Sequence, residues 1–114
     1  MWIFLNDSFL SVVVPLPTDV PADLQGQDVL CVRARQRGDI RRVFPGAKEV
    51  ELPNRDYAFR SYIPRDVVAD ALAKQVQRLT ATNFKDSVKE ESRHDAYLDV
   101  WLTMCRFQPG HYNQ

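Results

Sequence analysis

Short apolar runs with alternating polar positions fill the first half of the chain and predict β-strands. The turn-forming residues 6–8 separate the first two runs, which is typical of a hairpin. Residues 15–27 hold three of the seven prolines, so we expect a Pro-rich loop between the hairpin and the next strand. The predicted strands are residues 2–5, 9–14, 29–35, 48–52 and 57–63.

Helical spacing of apolar residues replaces this alternation in the second half of the chain. Pro64 is expected to begin a helix, because the first position of a helix has no hydrogen bond to lose. Asn83 and Ser92 are each followed three residues later by an aspartate, a spacing typical of helix N-termini. A short helix after Gly38 is expected to use Asp39 as its N-cap. The apolar positions expected to face inward are Ile40, Val43 and Phe44, then Val68, Leu72, Val76 and Leu79, and finally Tyr97, Val100, Trp101 and Met104.

The order of these elements, strands first and helices afterwards with one short helix inserted, is typical of an α+β fold. At 114 residues the chain is expected to form a single domain over residues 1–114. We expect a four- to five-stranded antiparallel or mixed sheet with the C-terminal helices packed on one face. Residues 108–114, which include a Pro-Gly pair and His111, are expected to be a flexible tail.

Charge and cysteine usage narrow the class of protein. Fifteen basic residues balance fifteen acidic ones, so no overall field favours nucleic acid or an anionic membrane. The N-terminus lacks a basic region and residues 6–8 interrupt its apolar run. We therefore expect no signal peptide, no membrane span and a cytoplasmic location. Cys31 and Cys105 stand among apolar residues, so we expect two buried, reduced thiols, with a disulfide as the alternative.

A local excess of arginine is the strongest candidate for a binding surface. Residues 29–44 carry five arginines against one aspartate. Alternation places Arg33 and Arg35 on one face of their strand, and Arg60 on the face of a later strand opposite Tyr57. Paired strands would present these arginines to phosphates, acidic loops or bases; the alternative is a solvated face with acidic partners. The candidate binding residues are Arg33, Arg35, Arg37, Arg41, Arg42, Arg60 and Tyr62.

His94 is the one candidate catalyst, with Asp86 or Asp95 as the residue that would orient it. Adjacent residues on a helix diverge by about 100°, and the positive end of the helix dipole opposes protonation of His94. A capped helix therefore accounts for this segment better than a hydrolase site does. The His and Asp spacings match no metal motif and the glycines form no phosphate loop, so no catalytic residue, metal or cofactor is predicted.

Three segments, VRARQRGDIRRVFPGA, RDYAFRSYIPRDVVADAL and NFKDSVKEESRHDAYLDVWLTM, together resemble a family of short uncharacterised bacterial and prophage proteins. The resemblance extends from Met1 to Phe107 and departs mainly in the Pro-rich loop. It implies a small stand-alone protein, bacterial or phage-borne, and no particular activity, cofactor or catalytic residue. Small phage-borne domains often bind a host or phage macromolecule, and some block defence nucleases, including CRISPR complexes.

These observations lead to three hypotheses for function. The first is a non-enzymatic binding protein, a phage-type accessory or inhibitor that docks on a larger protein or ribonucleoprotein such as a CRISPR complex. The second is a nucleic-acid or nucleotide binding module that uses the arginine face. The third is a small hydrolase that uses His94 and Asp86. The sequence leaves the oligomeric state open.

Overall fold

The structure, a computed structural model, describes residues 1–110 and contains a five-stranded antiparallel sheet. The strands occur in the order β1-β2-β3-β5-β4 across the sheet. This confirms the predicted α+β fold and selects the antiparallel form of the sheet. The predicted tail lies largely at residues 111–114, outside the described residues. The strands are β1 (Trp2–Phe4), β2 (Phe9–Val13), β3 (Val29–Ala34), β4 (Val50–Glu51) and β5 (Phe59–Pro64).

The helices follow the predicted order along the chain. They are α1 (Asp39–Val43), α2 (Arg65–Gln77) and α3 (Glu91–Phe107), with short 3-10 turns at Pro17–Asp19, Ala22–Leu24 and Lys85–Ser87. The chain divides into two compact units. The first, Met1–Thr80, contains the sheet with α1 and α2, and the second, Ala81–Gln114, contains α3 and the 3-10 turn before it.

The core of the first unit lies between one face of the sheet and the two helices α1 and α2. Alternate residues of β2, β3 and β5 point to this face, while Ile40 and Phe44 from α1 and Val68 from α2 close it. Burial of each such side chain contributes about 1.5–3 kcal/mol to the free energy of unfolding. The sheet residues in this core are Leu10, Val12, Leu30, Val32, Ala34, Phe59 and Ile63.

Asp39 joins the hairpin to α1, but not as the N-cap that the sequence predicted. Gly38 occupies the N-cap position with a φ of +91°, a conformation that favours glycine. Asp39 is therefore the first helical residue, and its buried carboxylate accepts a hydrogen bond from the backbone N–H of Phe9 at 3.0 Å. The same carboxylate pairs with Arg42 one turn later.

The Pro-rich segment is a loop, as predicted, and two 3-10 turns shape it. The side-chain amide of Gln25 donates hydrogen bonds to the backbone oxygens of Pro17 and Val20, at 3.0 and 2.8 Å. These two hydrogen bonds connect the end of the loop to its first half.

The predicted apolar stripe of α2 is correct in its first half only. Val68 is buried and Leu72 is half-buried against the core, whereas Val76 is 72% exposed and Leu79 is 68% exposed. At about 100° per residue, Val76 lies roughly 80° around the helix from Val68, and Gln75 lies only about 20° away. Gln75 is accordingly the half-buried residue of the last turn. Leu79 follows the end of the helix, so helical spacing no longer places it.

Neither of the two predicted caps in the second unit occupies an N-cap position. The Asn83 side-chain oxygen accepts a hydrogen bond from the backbone N–H of Asp86 at 3.4 Å, but Phe84 is the N-cap of the 3-10 turn that follows. Ser92 does not cap α3, because Glu90 occupies the N-cap position and Ser92 lies inside the first turn. The Ser92 hydroxyl instead donates to the Glu90 carboxylate at 3.1 Å.

The predicted inward face of α3 is buried only near its N-terminus. Arg93 and Tyr97 are buried, and the Tyr97 ring stacks on Phe84 with 5.9 Å between ring centroids. Trp101, predicted to be buried, is 47% exposed, and Met104 is 56% exposed. The prediction is wrong for these residues because periodicity identifies the side chains that share a face, not how far that face is covered.

Candidate functional site

The β3–β5 pairing brings two of the predicted arginines together. Arg33 and Arg60 are direct partners in the antiparallel register, and Cys31 and Tyr62 are partners two residues along. All four lie on the sheet face opposite the core, as alternation predicted for the arginines. Like charges directly opposite each other on a sheet repel, so this pair requires compensating contacts.

Tyr57 supplies part of that compensation. Its ring lies 4.5 Å from the Arg33 guanidinium carbon and 4.2 Å from that of Arg35, an arrangement typical of cation–π contacts. Tyr57 thus lies on the arginine side, whereas alternation predicted the opposite face. The reason is that Tyr57 precedes β5 and belongs to the turn, where strand alternation does not apply. In the same turn, Asp56 accepts a hydrogen bond from Arg35 through its backbone oxygen at 2.8 Å, and its carboxylate lies 3.7 Å from Arg60.

This face is not the open surface that the sequence predicted. The Arg60 side chain is only 13% exposed, and Ser11 and Cys31 on the same face are buried. Arg33 donates a 2.6 Å hydrogen bond to the Ser11 hydroxyl. The Nε atoms of Arg33 and Arg60 are buried without a hydrogen-bond partner among residues 1–110. Both arginines are therefore largely engaged inside the protein.

The remaining candidate arginines lie elsewhere in the first unit. Arg37 donates to both carboxylate oxygens of Glu51 at 2.9 Å, and Arg42 pairs with Asp39 and donates to the backbone oxygen of Asp7 at 2.9 Å. Arg41, also on α1, is exposed and has no side-chain partner within residues 1–110. The candidate set thus forms no single arginine surface.

Burial also alters the two titratable partners on this face. Burial raises the pKa of the Cys31 thiol, although the charges of Arg60 and Arg33 act in the opposite direction. Burial and the neighbouring Cys31 thiol raise the pKa of Tyr62, its partner on the adjacent strand. Cys31 is a free, buried thiol as predicted, whereas the free thiol of Cys105 is only half-buried.

The second unit carries exposed large apolar side chains on α3. Four large side chains of α3 are exposed at helical spacing, and they continue the helix face that carries buried Arg93 and Tyr97. Lys85 lies over the Trp101 ring, with its Nζ 5.4 Å from the centroid. The sequence identified three of the four as one face; Phe107, three residues after Met104, was missed although its spacing fits. We call Val100, Trp101, Met104 and Phe107 the α3 stripe.

The His94 segment does not form the geometry of a general base. His94 Nδ1 lies 3.7 Å from the Asp95 carboxylate, beyond hydrogen-bond distance. Asp86 makes no hydrogen bond or ion pair to His94 within the described part of the chain. Among residues 1–110, no group of three or more His, Cys, Asp and Glu side chains is arranged to hold a metal ion.

No protein-family model, curated protein or solved structure matches the chain. The resemblance to short prophage proteins therefore stays a prediction. Within the described residues, the helices are too short or too polar for any of them to cross a lipid bilayer.

Proposed function

We propose that this chain is a non-enzymatic binding protein that docks on a larger protein, or on the protein part of a ribonucleoprotein, through the α3 stripe. The observation that carries the proposal is the exposure of Trp101 and Met104 at 47% and 56% on a helix face whose first half is buried. An apolar face exposed in this way costs solubility and is typical of a surface that a partner covers.

The residue types in the α3 stripe support a protein partner. Tryptophan, methionine and phenylalanine are enriched in the centres of protein interfaces, and a few such residues carry most of the binding energy. An amphipathic helix that presents side chains at i, i+3 and i+7 fits an apolar groove on another protein. Lys85 against Trp101 holds the indole ring in place before binding, which lowers the entropy lost on docking.

The arginine face supports a nucleic-acid partner less well. Arg33, Arg35 and Arg37 are already occupied by Ser11, Tyr57 and Glu51, respectively. Phosphate binding would have to compete with these contacts. The phage-type role as an accessory or inhibitor remains our proposal for the setting in which the docking occurs.

A photocrosslinking experiment tests the docking surface. A benzophenone amino acid replaces Met104 in one variant and Asp99 in a control, because Asp99 is exposed and lies about 200° around the helix from Trp101. Both variants are illuminated in a bacterial host, and the crosslinked proteins are identified by mass spectrometry. A protein captured from position 104 but not from position 99 is then purified. The affinity of that purified partner is then measured for wild type, Trp101→Ala and Asp99→Ala.

We expect Trp101→Ala to weaken binding by about 2 kcal/mol or more, roughly 30-fold in Kd, and Asp99→Ala to have little effect. Equal affinity of the wild type and Trp101→Ala for the purified partner would exclude the α3 stripe as the docking surface. Binding that falls steeply with salt and is lost in Arg41→Glu would favour the nucleic-acid module instead. Crosslinking of Met104 only to a second copy of the chain would assign the stripe to self-association.

A further inference from the structure

A groove of about 750 Å³ is lined entirely by residues of the first unit. One face of α2 forms one wall, and the end of α1 with the turn that follows it forms the other. The last residues of β5 form the floor. Its volume falls in the range of roughly 300–1,000 Å³ that is typical of small-molecule sites.

Apolar side chains form the interior of this groove. Phe44 and Ile63 are core residues whose surfaces reach the groove floor, and Val67 on α2 is 47% exposed toward solvent. The apolar surface that a ligand can cover therefore belongs mainly to Val67 and to the half-buried Val43, Ala47 and Ala71. The six apolar side chains that matter are Val43, Phe44, Ala47, Ile63, Val67 and Ala71.

Basic residues predominate at the rim. Four cationic side chains line the groove against two carboxylates, although the whole chain has a net charge of zero. Lys74 pairs with Asp70 at 3.0 Å, and Arg42 pairs with Asp39.

Two of these cations remain available to a ligand. Lys48 and Arg78 form no ion pair or side-chain hydrogen bond within residues 1–110. Of the two carboxylates in the groove, Asp23 at one end has no partner within residues 1–110. The unpaired side chains of the groove therefore comprise two cations and one carboxylate, a net charge of +1.

We propose that this groove binds an amphipathic organic anion, with an apolar body against the α1–α2 interior and a carboxylate or phosphate head at Lys48 and Arg78. An ammonium group attracts such a head as a point charge, and a guanidinium group can bind it through two parallel hydrogen bonds. The apolar body covers the exposed surface of Val67 and contacts the core residues at the bottom of the groove. The groove shares no residue with the α3 stripe, so substitutions can test the two proposals separately.

Titration with three matched amphiphiles tests the proposal. Decanoate and decyl phosphate carry the two candidate head groups, and decyltrimethylammonium carries the same chain with a positive head. Each is added below its micelle concentration to the full chain, and backbone amide shifts of Gly46, Lys48 and Ala71 are followed by NMR. We expect saturable shifts with both anions and none with the cation; the tighter anion identifies the preferred head group.

Two sets of variants separate this site from adventitious adsorption. Lys48→Gln combined with Arg78→Gln should weaken anion binding at least about tenfold, because both head-group contacts are lost. Arg55→Gln combined with Arg106→Gln removes the same charge from exposed positions outside the groove and should leave the affinity unchanged. Val67→Trp, at an exposed position, should fill the groove and abolish binding while the Tm stays near that of wild type. Equal binding of the cationic amphiphile, or unchanged affinity in both the double groove variant and Val67→Trp, would overturn the proposal.

Discussion

Arg33 and Arg60 lie directly opposite each other on β3 and β5, and in the described part of the chain the buried Nε atoms of both have no hydrogen-bond partner. Their contacts are unequal. Arg33 has the Ser11 hydroxyl and the Tyr57 ring, whereas Arg60 has the Asp56 carboxylate at a longer distance of 3.7 Å and the neighbouring Cys31 thiol. The pair therefore combines like-charge repulsion with one well-compensated and one poorly compensated guanidinium.

This inequality predicts opposite effects of two identical substitutions. Arg60→Met keeps the apolar stem but removes the repulsion and a buried unpaired donor, so the free energy of unfolding should be unchanged or rise by up to about 1 kcal/mol. Arg33→Met leaves the buried Ser11 hydroxyl without its partner and should cost about 1–2 kcal/mol. Urea denaturation of the three proteins measures the difference. A larger loss for Arg60→Met than for Arg33→Met would contradict the proposed inequality.

The Cys31 thiol predicts a loss of stability in alkali. Burial raises its folded-state pKa above the ordinary value of 9.0, so the unfolded chain loses this proton at a lower pH than the native protein does. The free energy of unfolding should therefore fall as the pH rises beyond about 9. Burial also raises the pKa of Tyr62 above its ordinary value of 10.0, which should extend this loss of stability to higher pH. Denaturation of wild type and Cys31→Ala from about pH 7 to about pH 10.5 should give a steeper decline for wild type. An equal decline in the free energy of unfolding of both proteins would show that the Cys31 thiol does not contribute to the loss of stability in alkali.

The two cysteines should also differ in their reaction with a thiol reagent. Cys31 is buried with a raised pKa, whereas Cys105 is half-buried on α3. Because the thiolate is the reactive species, native Cys105→Ala, which retains Cys31, should react at least about tenfold more slowly than Cys31→Ala. The two variants should react at similar rates in urea. Equal rates in the native state would refute the difference in burial.

The elements of this fold could be predicted from local patterns, but several contacts could not. Alternation predicted that Arg33 and Arg60 point away from the core, since period-two spacing decides the face of a strand. It could not predict that they are direct partners, because register depends on how the intervening turns close. Tyr57 illustrates the same limit, since one residue outside β5 was enough to reverse its predicted side.

The candidate surfaces were predictable to a similar extent. Helical spacing placed Tyr97, Trp101 and Met104 on one face of α3, and the structure confirms that grouping. The sequence gives no measure of how much neighbouring surface exists to cover such a face. Phe84, at the start of the 3-10 turn, stacks on the Tyr97 ring, whereas Lys85 lies over the Trp101 ring and leaves it 47% exposed. The exposed fraction of Trp101 therefore depends on the three-dimensional arrangement and not on helical spacing alone.

Tyr97 and Trp101 lie one turn apart on α3. Comparing substitutions at these two residues tests where the buried part of this helix face ends. Tyr97 is 7% exposed and Trp101 is 47% exposed. Tyr97→Ala should lower the free energy of unfolding by about 3–5 kcal/mol, the usual cost of removing a buried aromatic ring. Trp101→Ala should cost less, about 1–2 kcal/mol, because about half of its side chain is already exposed to solvent. Lys85→Gln removes only the cation from the ring and should cost about 0.5–1 kcal/mol, so it measures how much of that loss the contact with Lys85 contributes. A loss of several kcal/mol in Trp101→Ala would mean that the indole ring belongs to the folded core, and the α3 stripe could then not serve as a docking surface.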